Sequence, residues 1–238
     1  MALFTCKDAS FYYEGNTAVS GLNFQVLSGD YLCIVGENGS GKSTLIKGLL
    51  RLKSPRQGSV FMGDGLKLNE IGYLPQQMAA KKDFPASAYE VIISGRLGSR
   101  GILPFYSKMD KAVAEKNIKL LDIDSLRNRC YCELSRGQQQ QVLLARALCS
   151  AKRALLLDEP AAGLDPSVTQ EFYTLINAIN SQTGLTVIMV SHDIINAVKY
   201  ASHILQLSNR QVFFGKTEDY LTSDAGKVYL GMGGVFRD

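Results

Sequence analysis

The sequence predicts an α/β fold: a mostly parallel β-sheet flanked by helices, with an antiparallel N-terminal β piece and an inserted helical subdomain. Three observations lead to this prediction. Residues 31–35 and 154–157 are short apolar runs with the length of buried parallel strands. A glycine-rich loop follows the first run, and two carboxylates follow the second. The segment between them, about 83–149, carries apolar residues at helical spacing.

Length and composition favour one domain, or one domain with a subdomain. Of the 238 residues, 46% are hydrophobic, which is enough to bury a sizeable core. No apolar run approaches the roughly 18 residues needed to cross a bilayer, and the N-terminus lacks the charged and apolar regions of a signal peptide. We therefore expect a cytosolic protein, or one bound to the cytosolic face of a membrane.

Charge and cysteine content argue against two further classes. The net charge of +4, from 26 basic and 22 acidic residues, is small and spread along the chain, so we expect no nucleic-acid partner. Five scattered cysteines predict reduced thiols rather than a disulfide framework.

The loop after the first apolar run is typical of phosphate binding. It matches G-x-x-x-x-G-K-[ST] and opens directly into a helical pattern. Glycines let backbone N–H groups turn toward phosphates, the lysine reaches the β- and γ-phosphates, and the serine hydroxyl can bind Mg²⁺. The sequence therefore predicts nucleotide binding here. The loop residues expected to contact the nucleotide are Gly36, Asn38, Gly39, Ser40, Gly41, Lys42, Ser43 and Thr44.

The chain order of the remaining elements completes the predicted fold. About 1–80 and 150–216 form the sheet core, about 83–149 the helical subdomain, and 217–238 a short tail. Within the subdomain, 86–97 and 108–123 are predicted helices, and a third begins after Ser135. The second carries apolar residues at Val113, Ile118, Leu120 and Leu121.

The start of the third helix has an ordinary local explanation. Ser135 is followed three residues later by Gln138, which fits a capping box. The cap accounts for the helix but not for Gly137, a poor helix former in the first turn.

Two carboxylates follow the second apolar run. Because acids at the carboxyl end of a parallel strand face the ligand crevice, Asp158 is expected to hold Mg²⁺, directly or through water. Glu159 is expected to polarise an attacking water as general base. The alternative is that two acids simply end a strand before Pro160.

These motifs together resemble the ATP-binding subunit of ABC transporters over nearly the whole chain. The order is the phosphate loop, “GYLPQQ”, “LSRGQ”, “LLLDEP”, “AGLD” and “VSHD”. The resemblance implies a P-loop (RecA-like) core and hydrolysis of ATP with Mg²⁺. It also implies a homodimer in which “LSRGQ”, usually LSGGQ, serves the other subunit's ATP.

The resemblance assigns further roles. Tyr13 is expected to stack on adenine, Gln76 is the Q-loop glutamine, His192 the switch histidine and Asp165 the D-loop aspartate. The expected catalytic residues are Lys42, Gln76, Glu159 and His192, the expected Mg²⁺ ligands are Ser43, Gln76 and Asp158, and the signature residues toward the opposite nucleotide are Ser135, Gly137 and Gln138.

Three positions depart from the family pattern. Arg136 replaces the first signature glycine, Gln141 stands where many relatives have arginine, and Tyr12 lies beside Tyr13. We expect the Arg136 side chain to point to solvent. The alternative is that it reaches the other subunit's phosphates or an acidic group.

Two other candidates are weaker. His203 is expected to be structural. Cys130 and Cys132 form a C-x-C pair that lacks the four-ligand spacing of a zinc site.

The resemblance also implies partners and cargo. The subunit would power a separate membrane permease, with an extracytoplasmic metal-binding protein as an indirect partner. The competing class is a soluble ABC ATPase acting on nucleic acid, but only about 60 residues separate Gln76 from Ser135, too few for a coiled-coil arm. Residues 83–101 and “VFFGK” resemble zinc and manganese importers, with zinc favoured and iron-siderophore importers as the alternative.

Overall fold

A computed structural model of the chain describes residues 1–13, 16–76, 85–99 and 105–232. The strands are β1 (Ala2–Tyr13), β2 (Asn16–Leu27), β3 (Tyr31–Val35), β4 (Gln57–Met62), β5 (Ile71–Leu74), β6 (Ala154–Asp158), β7 (Thr186–Val190), β8 (His203–Leu207) and β9 (Gln211–Lys216). The helices are α1 (Lys42–Leu49), α2 (Ala88–Ser94), α3 (Lys108–Leu120), α4 (Arg136–Ser150), α5 (Pro166–Thr183), α6 (Ile194–Tyr200), α7 (Thr217–Thr222) and α8 (Asp224–Met232). The chain divides into two units, 1–67 with 170–238, and 68–169.

The first unit contains parallel and antiparallel strands. β3 lies between β7 and β8 and is parallel to both, while β9 runs antiparallel to β8. Every residue of β3 and β7 is buried, as continuous apolar runs in a parallel sheet require. β1 pairs antiparallel with β2 and with β4, which makes a separate three-stranded sheet. The predicted combination of a parallel sheet with an antiparallel N-terminal piece is confirmed.

The tail of the first unit packs against the strand beside β3. The buried Tyr220 of α7 donates its hydroxyl proton to Gln206 Oε1 at 3.0 Å and meets the Phe213 ring edge-on. Gln206 lies opposite Val35 in the β3–β8 register. The tail is therefore anchored next to the strand that leads into the phosphate loop.

The second unit combines a parallel strand pair with helices. β5 and β6 pair in parallel, and α2, α3 and α4 are the helices predicted between about 83 and 149. Of the apolar residues expected on α3 and just after it, Ile118 and Leu121 are buried and Val113 is half-buried, whereas Leu120 is 40% exposed. Ala114 is buried as well, because it shares a helix face with Ile118. The predicted subdomain boundaries stay a prediction, and residues 83–84 lie outside the described part of the chain.

A buried ion pair holds the helices of this unit together. Arg96 Nε lies 2.9 Å from Asp110 Oδ1, and Arg96 Nη1 donates to the carbonyl oxygen of Cys149 at 2.8 Å. The Ser107 hydroxyl donates to Asp110 Oδ2 at 2.7 Å in the capping box of α3. Hydrogen bonds from Ser107, followed by those from Arg96, lower the pKa of Asp110 to about 2.

No helix in the described ranges combines the length and apolar character needed to cross a membrane. The five cysteines are all free thiols.

We predict that Asp110→Asn destabilises the protein by about 3 kcal/mol, because it leaves the buried Arg96 charge without its counter-ion. Since the folded-state pKa of Asp110 lies below its ordinary value, its contribution is full above that ordinary value and is lost as pH falls toward about 2. Urea titration at neutral pH measures the loss. The matched control is Asp124→Asn, which breaks the contact of a 72% exposed carboxylate with Arg127 and should cost under about 1 kcal/mol. Equal losses in both variants would contradict the assignment.

Candidate active site

The phosphate loop begins where the buried strand β3 ends and passes directly into α1. Lys42 is the first residue of α1, and its side chain is buried although it carries a charge. Its Nζ donates to the carbonyl oxygens of Gly36 and Glu37, each at 2.8 Å. The ammonium is thus fixed at the loop, where a positive charge attracts a phosphate.

The helix that follows the loop has the properties of an anion site. Gly41 precedes α1 with a φ of 96°, makes no side-chain cap, and no acidic residue occupies the first turn. A Cβ on Gly41 would lie 2.6 Å from Val19 Cβ and 2.7 Å from the Ala18 carbonyl oxygen. Both the backbone conformation and the space therefore require glycine at this position.

Ser40 supplies a separate indication that the loop binds a ligand. Its hydroxyl is buried and has no hydrogen-bond partner within the described part of the chain. A buried hydroxyl without a partner is uncommon in folded proteins. A phosphate oxygen would satisfy it, so the loop fits the triphosphate of ATP. Asn38 and Gly39 are exposed, and Ser43 and Thr44 continue the first turn of α1.

The second unit places the predicted carboxylates beside the Q-loop glutamine. The β5–β6 register sets Leu74 opposite Leu157, so Gln76 and Glu159 both follow the same edge of the parallel pair. Gln76 Nε2 donates to Glu159 Oε2 at 2.7 Å. Asp158 is buried, and burial, followed by the Asp158 charge, raises the pKa of Tyr73 to about 12.

Glu159 has an unusual backbone for a residue other than glycine. Its φ of 53° is in the left-handed region, a strained conformation that is concentrated at functional sites. This turn directs the chain away from β6 immediately after Asp158. The sequence contains no signal for it, because Glu is not a residue that favours this region.

The donor set fits a hard cation. Ser43, Gln76 and Asp158 all offer oxygen, the ligand type that Mg²⁺ prefers. The amide nitrogen of Gln76 is directed to Glu159, which leaves its Oε1 as the acceptor for another group. In the described ranges, no group of three or more His, Cys, Asp or Glu side chains is arranged to hold a metal ion.

The predicted capping box at the signature motif is confirmed. Gln138 N donates to Ser135 Oγ at 3.3 Å, and Ser135 N donates to Gln138 Oε1 at 3.1 Å. A Cβ on Gly137 would lie 3.2 Å from Val168 Cγ1, which is tight packing. The first turn of α4 contains no acidic residue, so its dipole favours an anion.

Arg136 is solvent-exposed, as expected, and it also makes one contact that the sequence did not predict. The side chain is exposed, but Nη1 lies 3.4 Å from the carbonyl oxygen of Gly163 in the D-loop. This acceptor is neither of the two groups considered as the alternative. The reason is geometric, since Gly163 has no side chain to keep the guanidinium away.

The D-loop and the switch histidine are held by local hydrogen bonds. Asp165 is exposed, and its carbonyl oxygen accepts from Thr169 N at 2.8 Å in the first turn of α5. His192 is exposed between Ser191 and Asp193. Asp193 N donates to Ser191 Oγ at 2.9 Å, and the Asp193 side chain caps α6. The backbone on both sides of His192 is therefore fixed, while its ring is accessible.

The two tyrosines at the end of β1 differ in accessibility. Tyr13 is 57% exposed, and the Lys53 ammonium lies 4.8 Å from its ring centroid. Tyr12 is less exposed, and the Arg56 guanidinium lies 5.2 Å from its ring. The greater exposure favours Tyr13 as the adenine platform, which stays a prediction.

His203 is engaged in structure, as expected. Its Nδ1 lies 3.0 Å from the Ser202 hydroxyl, and its ring stacks on Phe214.

We predict that Gly41→Ala abolishes nucleotide binding, whereas Gly39→Ala only weakens it. Both glycines have left-handed φ values, 96° and 81°, so backbone strain is matched. Only the Gly41 methyl meets other atoms, while nothing lies within 4 Å of a Cβ on Gly39. Titration with a fluorescent ATP analogue measures both affinities. If the two variants bind equally well, close packing behind the loop is not what shapes the site.

Comparison with known proteins identifies the family. The ABC transporter family model matches residues 19–162. The zinc uptake system ATP-binding protein ZurA of Listeria innocua is 32% identical over 90% of this chain and 86% of its own length. The manganese transport system ATP-binding protein MntB of Bacillus subtilis is 36% identical over 92% of this chain and 89% of its own length. A metal-chelate type ABC transporter in an inward-facing conformation superposes with a TM-score of 0.86 at 29% identity, over 97% of this chain and 90% of that chain. The chain belongs to the ABC transporter family and is one of its ATP-hydrolysing subunits.

Proposed function

We propose that this chain is the ATPase subunit of a metal-ion importer, works as a homodimer with Mg-ATP, and drives a separate membrane permease with zinc as cargo. The observation that carries the catalytic part is the 2.7 Å hydrogen bond from Gln76 to Glu159, directly after the strand that ends in Asp158. It orients the candidate general base toward Gln76, next to Asp158; Gln76 and Asp158 are the two candidate Mg²⁺ ligands of the second unit.

Each loop residue has a role toward ATP that follows from its contacts. Two loop carbonyls hold the Lys42 ammonium in position, and its positive charge neutralises charge on the β- and γ-phosphates. Ser40 donates its unpaired hydroxyl to a phosphate oxygen, and the N–H groups of 36–44, including those of Asn38 and Thr44, line the phosphates. Tyr13 stacks on the adenine ring.

Mg²⁺ would be held by Ser43, Asp158 and Gln76, and when bound it neutralises charge on the phosphates. Glu159 accepts a proton from the attacking water, and the amide of Gln76 keeps the carboxylate oriented. His192 lies near the γ-phosphate and hydrogen-bonds to it. The hydrogen bond from Asp193 N to Ser191 Oγ fixes the backbone around His192.

The signature motif serves the nucleotide of the second copy. Ser135, Gly137 and Gln138 present a helix N-terminus without acidic residues, and Asp165 follows in the exposed D-loop. A dimeric bacterial ABC cassette superposes with a TM-score of 0.74 at 26% identity, over 90% of this chain and 98% of that chain, which supports this arrangement. ATP then links two copies, and hydrolysis releases them.

The permease contact is proposed for an apolar cavity of about 570 Å³ within the second unit. Its lining includes Pro85, Ala86, Val91, Tyr131, Leu143 and Arg146. A cytosolic helix of the permease fits such a groove with its apolar face. We therefore place the subunit at the cytoplasmic face of the membrane, with an extracytoplasmic metal-binding protein acting through the permease.

Zinc is the proposed cargo because zinc uptake subunits are among the most similar relatives. Manganese subunits match comparably, and the metal-chelate transporter structure supports a chelated metal as the second candidate. Parts of the segment that resembles zinc and manganese importers, residues 83–84 and 100–101, lie outside the described residues.

We predict that Glu159→Gln keeps ATP binding, lowers turnover about 10²- to 10⁴-fold, and accumulates an ATP-bound dimer. Size-exclusion chromatography with light scattering, with and without Mg-ATP, measures the dimer. Glu171→Gln, exposed on α5, is the charge-matched control and should hydrolyse ATP normally. A monomer at saturating ATP with unchanged hydrolysis would refute the assignment of Glu159.

We predict that deleting the gene in its host impairs growth specifically under zinc chelation, and that added zinc restores growth whereas manganese and iron do not. Metal-resolved uptake measures the cargo directly, with complementation by Glu159→Gln as the inactive control. Normal zinc uptake together with lost ferric-chelate uptake would establish the second candidate instead.

A further inference from the structure

Arg136 links two motifs of the same chain. It is the first residue of α4, and its guanidinium donates to the Gly163 carbonyl oxygen, 27 residues further along. The first motif is the signature, 134–138, and the second is the D-loop, 162–165.

The loop that Arg136 contacts also contains two short-range backbone hydrogen bonds. Between Glu159 and Asp165, Ala162 N donates to the Glu159 carbonyl oxygen at 3.1 Å, and Leu164 N donates to the Ala161 carbonyl oxygen at 3.2 Å. Both bonds are local turns. Gly163 itself is exposed and has a φ of 74°. The guanidinium thus adds a long-range contact at Gly163, whereas another long-range contact of this loop, from Gln76, is at Glu159.

Gly163 and Arg136 fit one another sterically. A Cβ on residue 163 would lie 2.7 Å from Arg136 Nη1, so a methyl group there would displace the guanidinium from its present position. Glycine at this position therefore serves both the left-handed backbone and the approach of the guanidinium. A planar guanidinium can donate to the carbonyl while its other N–H groups stay hydrated.

We propose that Arg136 is a positioning residue, which ties the signature helix to the D-loop so that the loop from Glu159 to Asp165 keeps its hydrolysis-competent arrangement. The proposal rests on the proposed function, in which both motifs face the nucleotide of the second copy. Arg136 acts through Gly163 and contacts no reacting group. Its effect is moderate, since an exposed charge-assisted hydrogen bond is screened by water and salt.

The first test compares Arg136→Ala, Arg136→Lys and the control Lys116→Ala, which removes one exposed charge from α3. We expect Arg136→Ala to lower kcat about threefold to fivefold with unchanged nucleotide affinity. Arg136→Lys should keep part of the kcat that Arg136→Ala loses. Guanidinium ions added to Arg136→Ala, at concentrations far below denaturing, should also restore part of its kcat, whereas sodium chloride at the same concentration should not. An unchanged kcat would overturn the proposal, as would a loss confined to nucleotide affinity, which would indicate a phosphate contact.

A double-mutant cycle tests the contact itself. Gly163→Ala should lower kcat less in the Arg136→Ala background than in the native protein, because part of its cost is the displacement of the guanidinium from the Gly163 carbonyl oxygen. Gly184→Ala is the matched control, with a φ of 67° and nothing within 4 Å of its Cβ, and its effect should be additive with Arg136→Ala. Additive effects for the Gly163 pair would overturn the link.

Hydrogen exchange separates this proposal from the proposed function. In the nucleotide-free protein, Arg136→Ala should speed exchange of the amides in 160–165 and leave α3 unchanged. This readout needs neither dimerisation nor hydrolysis. Unchanged exchange would overturn the tether even if the dimer forms, and faster exchange would uphold it even if the dimer does not.

Discussion

The buried ammonium of Lys42 is the interaction on which the nucleotide site depends. It is charged, it is held by the carbonyl oxygens of Gly36 and Glu37, and its position is set by a loop between β3 and α1. Burying a charge is costly unless it is well paired, so the loop is built around a group that binds an anion. The parallel packing of β3 against β7 and β8 provides the rigid base for this loop. The Ser40 hydroxyl, which has no hydrogen-bond partner among the described residues, is the second sign that the loop is completed by its ligand.

The local features of the site could be predicted from the sequence. The strand, loop and helix around Lys42, the buried strand before Asp158 and the capping box of Ser135 each depend on neighbours within a few residues. The contacts between distant residues could not. Gln76 and Glu159 are 83 residues apart, and Arg136 and Gly163 are 27 apart. Nothing in their sequence surroundings encodes the pairing, since the β5–β6 register and the turn after Glu159 bring them together.

In the proposed function, ATP hydrolysis and cargo selection belong to different subunits. Under the same proposal, this chain supplies the phosphate loop, the candidate base and the signature helix, and each of two copies contributes to two nucleotide sites. The proposed function assigns cargo choice to the permease and its binding protein, so the catalytic residues carry no information about the metal. Leu120 is a local example of what sequence patterns leave open, because helical spacing groups it with the apolar residues of α3 although it is 40% exposed. Periodicity predicts a helix but not which of its apolar residues face the core.

The central claim is that each site takes Lys42 from one chain and Ser135 from the other, and defined heterodimers test it most directly. A Lys42→Ala chain paired with a Ser135→Arg chain places both lesions in one site and leaves the second site intact. A doubly substituted chain paired with a native chain carries the same lesions but puts one in each site. The measurement is ATP-dependent closure of each purified heterodimer. Shared sites predict closure at one site in the first heterodimer and at no site in the second heterodimer. Equal closure in the two heterodimers would contradict it.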